Sequence, residues 1–310
     1  MHNEPKIPAL RFPGFDGIWT EKKFGEVFSF QSTNSFSREN LNYETGVYRN
    51  IHYGDIHKKF YSLFDITKEE VPYINENIAL KNVTENFLCK EGDLLFADAS
   101  EDYDDIGKCI EIVNTNREQI VAGLHTIHAR PESFVLVIGF SAHLFKSEKI
   151  KSQIKLFAQG IKVLSISPGR LSEIILSLPS LPEQTKIASF LTAVDYRINL
   201  LTRRKELLEH YKKGVMQKIF NREFRFKDEG GKEYPEWIES KLGNFLKQEI
   251  REIDKPASKY LSIGVKSHGK GTFQKPDSEP DKISMDKLFR VKENDLIVNI
   301  TFAWEGAIAI

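Results

Sequence analysis

Residues 179–220 read PSLPEQTKIASFLTAVDYRINLLTRRKELLEHYKKGVMQKIF, and their spacing decides the architecture. Ile187, Val194, Leu201, Leu208 and Val215 fall seven apart, and Leu191, Ile198 and Ile219 supply a second apolar row that Lys205 and Lys212 interrupt. A 3–4 spacing sustained over four heptads predicts a coiled-coil seam rather than an ordinary core helix. Pro182 sits in the first turn, where a missing N–H costs nothing, and Glu183 complements the helix dipole. Lysines at seam positions are costly in a dry interface, so that part of the seam is wet or meets acidic partners. Such a helix is a spacer, and the sequence around it says what it holds apart.

An internal repeat flanks it. Trp19-Thr-Glu-Lys-Lys-Phe-Gly25 aligns with Trp237-Ile-Glu-Ser-Lys-Leu-Gly243, each just after a proline-containing turn. Further on, Phe87-Leu-Cys-Lys-Glu-Gly-Asp-Leu-Leu95 matches Phe289-Arg-Val-Lys-Glu-Asn-Asp-Leu-Ile297 in the same order, which predicts a duplication. Copy one reads as mixed α/β: a short helix over 22–30, strands over 47–53 and 93–97, β-rich glycine-punctuated segments over 106–113 and 120–130, a helical stretch over 133–157, a strand over 162–166, and a segment 171–178 leading into the long helix. The expected fold class is α+β. Residues 1–178 form a mixed α/β domain, 179–222 the coiled-coil helix, and 223–310 an incomplete second α/β domain. If copy two completed as copy one does, roughly a hundred further residues and a second spacer helix would follow. The chain therefore reads as truncated or as a fragment.

Composition sets outer limits. The 310 residues are 40% hydrophobic and 28% charged, which suits two domains with real cores. Lys+Arg and Asp+Glu both number 44, which argues against a chain that coats nucleic acid through bulk charge alone. No apolar run is long enough to span a membrane, and residues 1–15 lack the apolar segment of a secretory signal. Cys89 and Cys109 are most simply reduced thiols, which favours a cytoplasmic location.

Three motifs carry a resemblance to the specificity subunits of type I restriction–modification systems. They are Leu10-Arg-Phe-Pro-Gly-Phe-x-Gly-x-Trp19 with Lys23-Phe-Gly25, Leu178-Pro-Ser-Leu-Pro-Glu-Gln-Thr-Lys-Ile-Ala188, and Tyr211-Lys-Lys-Gly-Val-Met-Gln-Lys-Ile-Phe220. The resemblance runs from about Leu10 to Ile310. It implies two target-recognition domains, each reading one half of a bipartite site on double-stranded DNA, held apart by helices that dock modification (methyltransferase) subunits and, through them, restriction subunits. It implies no catalytic site in this chain: S-adenosylmethionine, ATP and magnesium belong to the partner subunits. The second family helix is missing, so a helix from another copy could substitute and self-dimerisation through the spacer helix is expected. At ~1.5 Å per residue, residues 182–220 would span roughly 57 Å, or about one and a half turns of B-DNA.

Base readout needs fork donors, amides or imidazoles beside lysines that can hold phosphates. In copy one the best cluster surrounds Gly54 and offers Arg49, Asn50, His52, Tyr53, Lys58 and Lys59; a second offers His125, His128 and Arg130. In copy two the glycine-punctuated stretch 260–271 offers Lys266, His268 and Lys270. The seam residues Ile187, Leu191, Val194, Ile198, Leu201, Leu208, Val215 and Ile219 are the expected subunit interface. The acidic run at 99–105 would repel phosphate and reads as a solvated loop, or as an acceptor for a cytosine amino group or a basic partner.

Motifs for chemistry are missing. Gly269-Lys270-Gly271 is not a Walker loop, and no Asn-Pro-Pro-Tyr methyltransferase motif or Gly-x-Ser-x-Gly elbow occurs. Pro276-Asp277 is not followed by the acid-x-Lys of a nuclease, and His125 and His128 with Cys89 and Cys109 do not have zinc-site spacing. Neither a catalytic nor a metal site is assigned. The competing readings are a coiled-coil interaction scaffold, an inactive truncated specificity subunit, and, more remotely, a metal-dependent nuclease.

Overall fold

The computed structural model describes residues 8, 10–78, 86–132, 135–160 and 162–310. Residues 1–7, read above as lacking a signal, and 133–134, at the start of the expected helical stretch, lie outside the described residues. The chain divides into two units, Met1–Asn221 and Arg222–Ile310.

Unit one is built on alternation. Strand Leu94–Ala97 is buried at every position because it has a core on each face. Leu94 and Phe96 point into a cluster with Phe24, Phe28 and Phe145, whereas Leu95 and Ala97 join Ile51, Ile56 and Phe64. The strand lies centrally in a five-stranded sheet ordered Phe28–Gln31, Thr126–Pro131, Leu94–Ala97, Cys109–Asn114 and Leu63–Asp65, of which only the last pair is parallel. A four-stranded sheet of Gln119–Ala122, Tyr48–Ile51, Tyr73–Ile74 and Leu41–Asn42 lies beyond the second cluster.

Two expectations change. Residues 22–30 are not one helix but strand Thr20–Lys23, a single turn Phe24–Val27 and strand Phe28–Gln31. Phe24 stacks on Phe28 at 4.4 Å within an aromatic cluster, so packing overrides the local helical pattern. The stretch expected to be helical through 157 divides into Ser141–Leu144 and Glu148–Phe157. The break is closed by turn bonds from Lys146 and Ser147 N–H to His143 and Leu144 O at 3.2 and 3.1 Å, while the buried Glu111 holds the start of the first piece by accepting the N–H groups of Gly139 (2.7 Å) and Ala142 (2.8 Å).

The long helix runs Leu181–Phe220. Its root is fastened by the residues that follow Pro182. Glu183 is 1% exposed and receives a bidentate pair from Arg11, both contacts 2.6 Å, with the Trp19 indole N–H at 3.4 Å. Gln184 accepts from Val137 N–H at 3.0 Å and donates to Val135 and Pro179 carbonyls at 3.1 and 3.0 Å. Just before it, strand Ile175–Leu178 pairs antiparallel with Thr20–Lys23. Beyond Ala188 no residue of the helix is buried. Among the described residues no helix is long and apolar enough to cross a membrane.

Unit two consists of ribbons: Glu252–Asp254 with Lys287–Phe289, Tyr260–Val265 with Thr272–Ser278, and Ile297–Val298 with Ile308–Ala309. Its only buried hydrophobic residues are Ala307 and Ala309, while Phe245, Ile238 and Ile300 are 74%, 91% and 92% exposed. Two-stranded ribbons without a shared apolar layer are marginal in water.

The repeated Lys-Glu-x-Asp segments fold alike. Lys90 N–H donates to Asp93 Oδ2 at 2.7 Å and Asp93 N–H to Lys90 O at 3.1 Å; for Lys292 and Asp295 the same bonds are 2.8 and 3.2 Å. The third residue is left-handed in both, Gly92 at φ 92° and Asn294 at φ 67°, the residue types that tolerate it. Each aspartate then takes an arginine, Arg130 in unit one and Arg251 in unit two.

Candidate nucleic-acid interface

The two basic clusters of copy one meet at Tyr53. Strand Tyr48–Ile51 ends at His52, whose ring nitrogen accepts Gly54 N–H at 3.1 Å and so starts the short helix Tyr53–Lys58. Tyr53 lies against His52, ring centroids 4.6 Å apart, and edge-on to His57 (6.1 Å) and His125 (5.3 Å). His125 sits in a turn at φ 54°, half exposed, with Nδ1 3.1 Å from Asp98 Oδ1. The Tyr53 N–H donates to Leu124 O at 3.3 Å, tying the two loops by backbone.

Arg38, which sequence reasoning missed, completes the patch. Its guanidinium bonds both oxygens of the buried Asp55 at 3.0 and 3.4 Å. Asp55 thereby anchors Arg38 and also lies 3.5 Å from Lys59, which reaches Tyr43 OH at 3.0 Å. Burial, aided by the Arg38 charge, pushes the His52 ring below its ordinary pKa, so it stays neutral and remains an acceptor. Arg38, His52, Tyr53 and Lys58 border a crevice of about 440 Å³, whose opposite wall is the acidic loop through Glu101 and Asp102. Donors face acceptors across it. Lys58 is exposed at its rim.

Other expected contact residues are held within the fold. Arg49 pairs with Glu118 at 2.7 Å, donates to Val71 O at 2.7 Å and lies 3.6 Å over the Tyr73 ring. Asn50 is fully buried and accepts from Asn34 at 2.7 Å. His128 is fully buried with Nε2 2.7 Å from Asp93, and Arg130 donates to the same carboxylate at 2.9 and 2.8 Å and to Leu88 O at 2.7 Å. Burial would raise the Asp93 carboxyl, but these two partners outweigh it and hold it below the usual range. In Thr126–Pro131 the first four positions are all buried, so His128 lies inside the fold whichever face it takes, and no surface argument could see that.

In unit two Lys266, His268 and Lys270 are exposed on the turn between Tyr260–Val265 and Thr272–Ser278. The turn closes by Lys266 N–H to Gly271 O at 2.9 Å, with His268 left-handed at φ 62°.

The expected interface residues divide along the helix. Ile187 and Leu191 line apolar cavities of about 240 and 360 Å³ on either side of Trp19, and Ile187 packs on the core of unit one. Val194, Ile198, Leu201 and Leu208 are 39–56% exposed, and Val215 and Ile219 are half-buried. The seam therefore begins as part of its own domain and continues as an open face.

Comparison with known proteins adds a lineage. A putative type I restriction enzyme specificity subunit of Methanocaldococcus jannaschii is 27% identical over 251 residues, covering 77% of this chain and 57% of that protein. The chain thus spans little more than half the length of that curated relative. Among solved structures, a type I restriction–modification S subunit from M. genitalium aligns at TM-score 0.46 and 15% identity, covering 86% of this chain and 61% of that one. The HsdS subunit of Thermoanaerobacter tengcongensis aligns at TM-score 0.40 and 15% identity, covering 68% and 46%. The family description for the type I restriction–modification DNA specificity domain matches residues 17–210, from Gly17 through the mixed domain and far along the helix that Glu183 roots, and the chain belongs to that family.

Proposed function

We propose that the chain reads DNA as a specificity subunit and catalyses nothing itself. The observation that carries this is the convergence on Tyr53 of two loops distant in sequence: Arg38, His57 and Lys58 line one crevice with it, and His125 meets its ring edge-on. Lysines at such a rim hold phosphates, while imidazoles and a phenol offer donors and acceptors to base edges. Unit two, with Lys266, His268 and Lys270, reads the second half of a bipartite double-stranded site.

The open face of the helix from Val194 onward docks a modification subunit, with restriction subunits joining through it, or pairs with a second copy of this chain. Its outer half carries Arg203, Arg204, Lys205, Lys212, Lys213 and Lys218 against Glu206 and Glu209, which favours an acidic partner over a parallel pair of identical helices. S-adenosylmethionine, ATP and magnesium then act in the partner subunits, in the cytoplasm.

Co-expression with a cognate modification subunit, followed by genome-wide mapping of N6-methyladenine, tests the proposal. A new bipartite methylated motif is the expected result. A palindromic motif would assign reading to unit one in a self-paired assembly. Methylation unchanged from the host background, despite a stable complex, would leave a scaffold and overturn DNA reading.

A further inference from the structure

The two units share a device that lies just past the repeated Lys-Glu-x-Asp turn. In each, the strand leaving that turn pairs with the next strand across a loop, residues 98–108 in unit one and 299–307 in unit two. In each, the loop is fastened to the basic segment of its own unit. In unit one His57 Nε2 lies 2.9 Å from Ala99 O, and Lys108 Nζ donates to His57 O at 2.7 Å. In unit two His268 N–H donates to Glu305 O at 2.7 Å and Gly269 N–H to Gly306 O at 2.9 Å. Ser267 Oγ adds a bond to Glu305 Oε2 at 2.9 Å.

Both loops lift an aromatic side chain into solvent, Tyr103 at 55% and Trp304 at 80% exposure. Trp304 is not on a loose tip. It sits in the short turn Ala303–Glu305, closed by Gly306 at φ 71° and by Gly306 N–H to Ala303 O at 2.9 Å. The turn that carries this open indole is braced on the backbone of His268 and Gly269, in the loop that also bears Lys266 and Lys270, so a stacking face and phosphate-holding cations occur on joined loops, a pairing suited to nucleic acid.

We propose that Trp304 is a DNA-contacting residue of unit two, packing its indole on base or deoxyribose faces of a duplex whose phosphates Lys266 and Lys270 hold, with Tyr103 its counterpart in unit one. This rests on the DNA-reading function proposed above. It assigns the loop after the repeated turn, rather than the basic loop alone, to the recognition surface.

The test is a fluorescence titration of the full chain with a pool of random-sequence DNA duplexes, using the chain's three tryptophans as reporters. Trp304→Ala removes a solvated side chain, and unchanged far-UV circular dichroism verifies its fold. The expected result is an emission change on binding that persists in Trp237→Phe and disappears in Trp304→Phe. Trp304→Ala weakens binding roughly tenfold, and Trp304→Phe weakens it less because a stacking face remains. If Trp304→Ala binds within about twofold of wild type and the emission change survives in Trp304→Phe, the assignment of Trp304 is overturned while DNA reading stands. A folded wild-type chain that retains no duplex at low salt would instead sink DNA reading, and this assignment with it.

Discussion

Replacing Asp93 by alanine should be among the most damaging single changes to unit one. Its carboxylate is 1% exposed and holds two cationic or protonatable groups at once, His128 at 2.7 Å and Arg130 at 2.8 Å, with His128 itself fully buried. Removing the shared acceptor takes the carboxylate from the fully buried His128 and leaves Arg130 without its counter-charge, for which the expected loss is about 4 kcal/mol. At a urea dependence of about 2 kcal/mol per molar, the unfolding midpoint falls by about 2 M. Trp19 lies at the root of the long helix, so its emission reports unit one once Trp237 and Trp304 are changed to phenylalanine. Asp93→Asn keeps one acceptor and should lose about half as much, because charge-assisted bonds become neutral ones. The sign with pH follows from the lowered carboxyl. Its stabilisation is fully present above the unfolded value near 3.9, is lost as pH falls through the folded value, and is missing from the asparagine variant at any pH. A midpoint shift under about 0.5 M for Asp93→Ala would refute the reasoning. So would an equal loss from Asp295→Ala, followed in unit two with Trp237 and Trp304 retained, since its equivalent turn is exposed and water can replace its Arg251 partner.

Glu111 should act in the opposite sense, since burial raises its carboxyl from 4.5 to about 7. Below the unfolded value both states are protonated; between roughly 4.5 and 7 only the folded state keeps the proton, so stability declines by about 3 kcal/mol across that window. Glu111→Gln should flatten this slope, and a wild-type midpoint rising from pH 5 to 7 relative to the variant would contradict it. Lys58→Ala should reduce the salt slope of duplex binding by about one while weakening all sequences alike, read from binding isotherms at several salt concentrations. His125→Ala and His128→Ala should separate: the half-exposed ring alters selected DNA sequence with little change in urea midpoint, whereas the buried one costs about 3 kcal/mol. Leu201→Asp, at a position 49% exposed, should abolish co-purification with a modification subunit and leave the Trp19-reported transition unmoved.

The long helix was legible because heptad spacing is a local, periodic signal. Its fastening was not: Glu183 reads as a dipole partner, yet its two oxygens are taken by Arg11 and the Trp19 indole from the far end of the unit. The clusters of His, Arg and Lys were visible as composition, but sidedness was not. Three positions separate the buried His128 from the half-exposed His125, and only a few separate the buried Asn50 from the exposed Lys58. Arg38 left no signal because its role comes from Asp55, a residue buried only by the fold. The repeated Lys-Glu-x-Asp turn did carry one, since the loops bearing Tyr103 and Trp304 follow directly from it.

The helix is secured through Glu183, Gln184 and Ala188, with a last polar tie from Lys146 to Asp195 at 3.3 Å. From there to Phe220 no residue of the helix is buried, and it runs on as an exposed arm. Over the roughly 37 Å of that arm, a tilt of about 10° at Asp195 would carry Phe220 about 6 Å. If the chain reads two half-sites as proposed, their set separation leaves little room for such play, a base-pair step being only about 3.4 Å. Accuracy of spacing is therefore a property of whatever braces the arm rather than of the arm alone, and substitutions on the open face of the helix can blur the distance between half-sites without touching either reading surface.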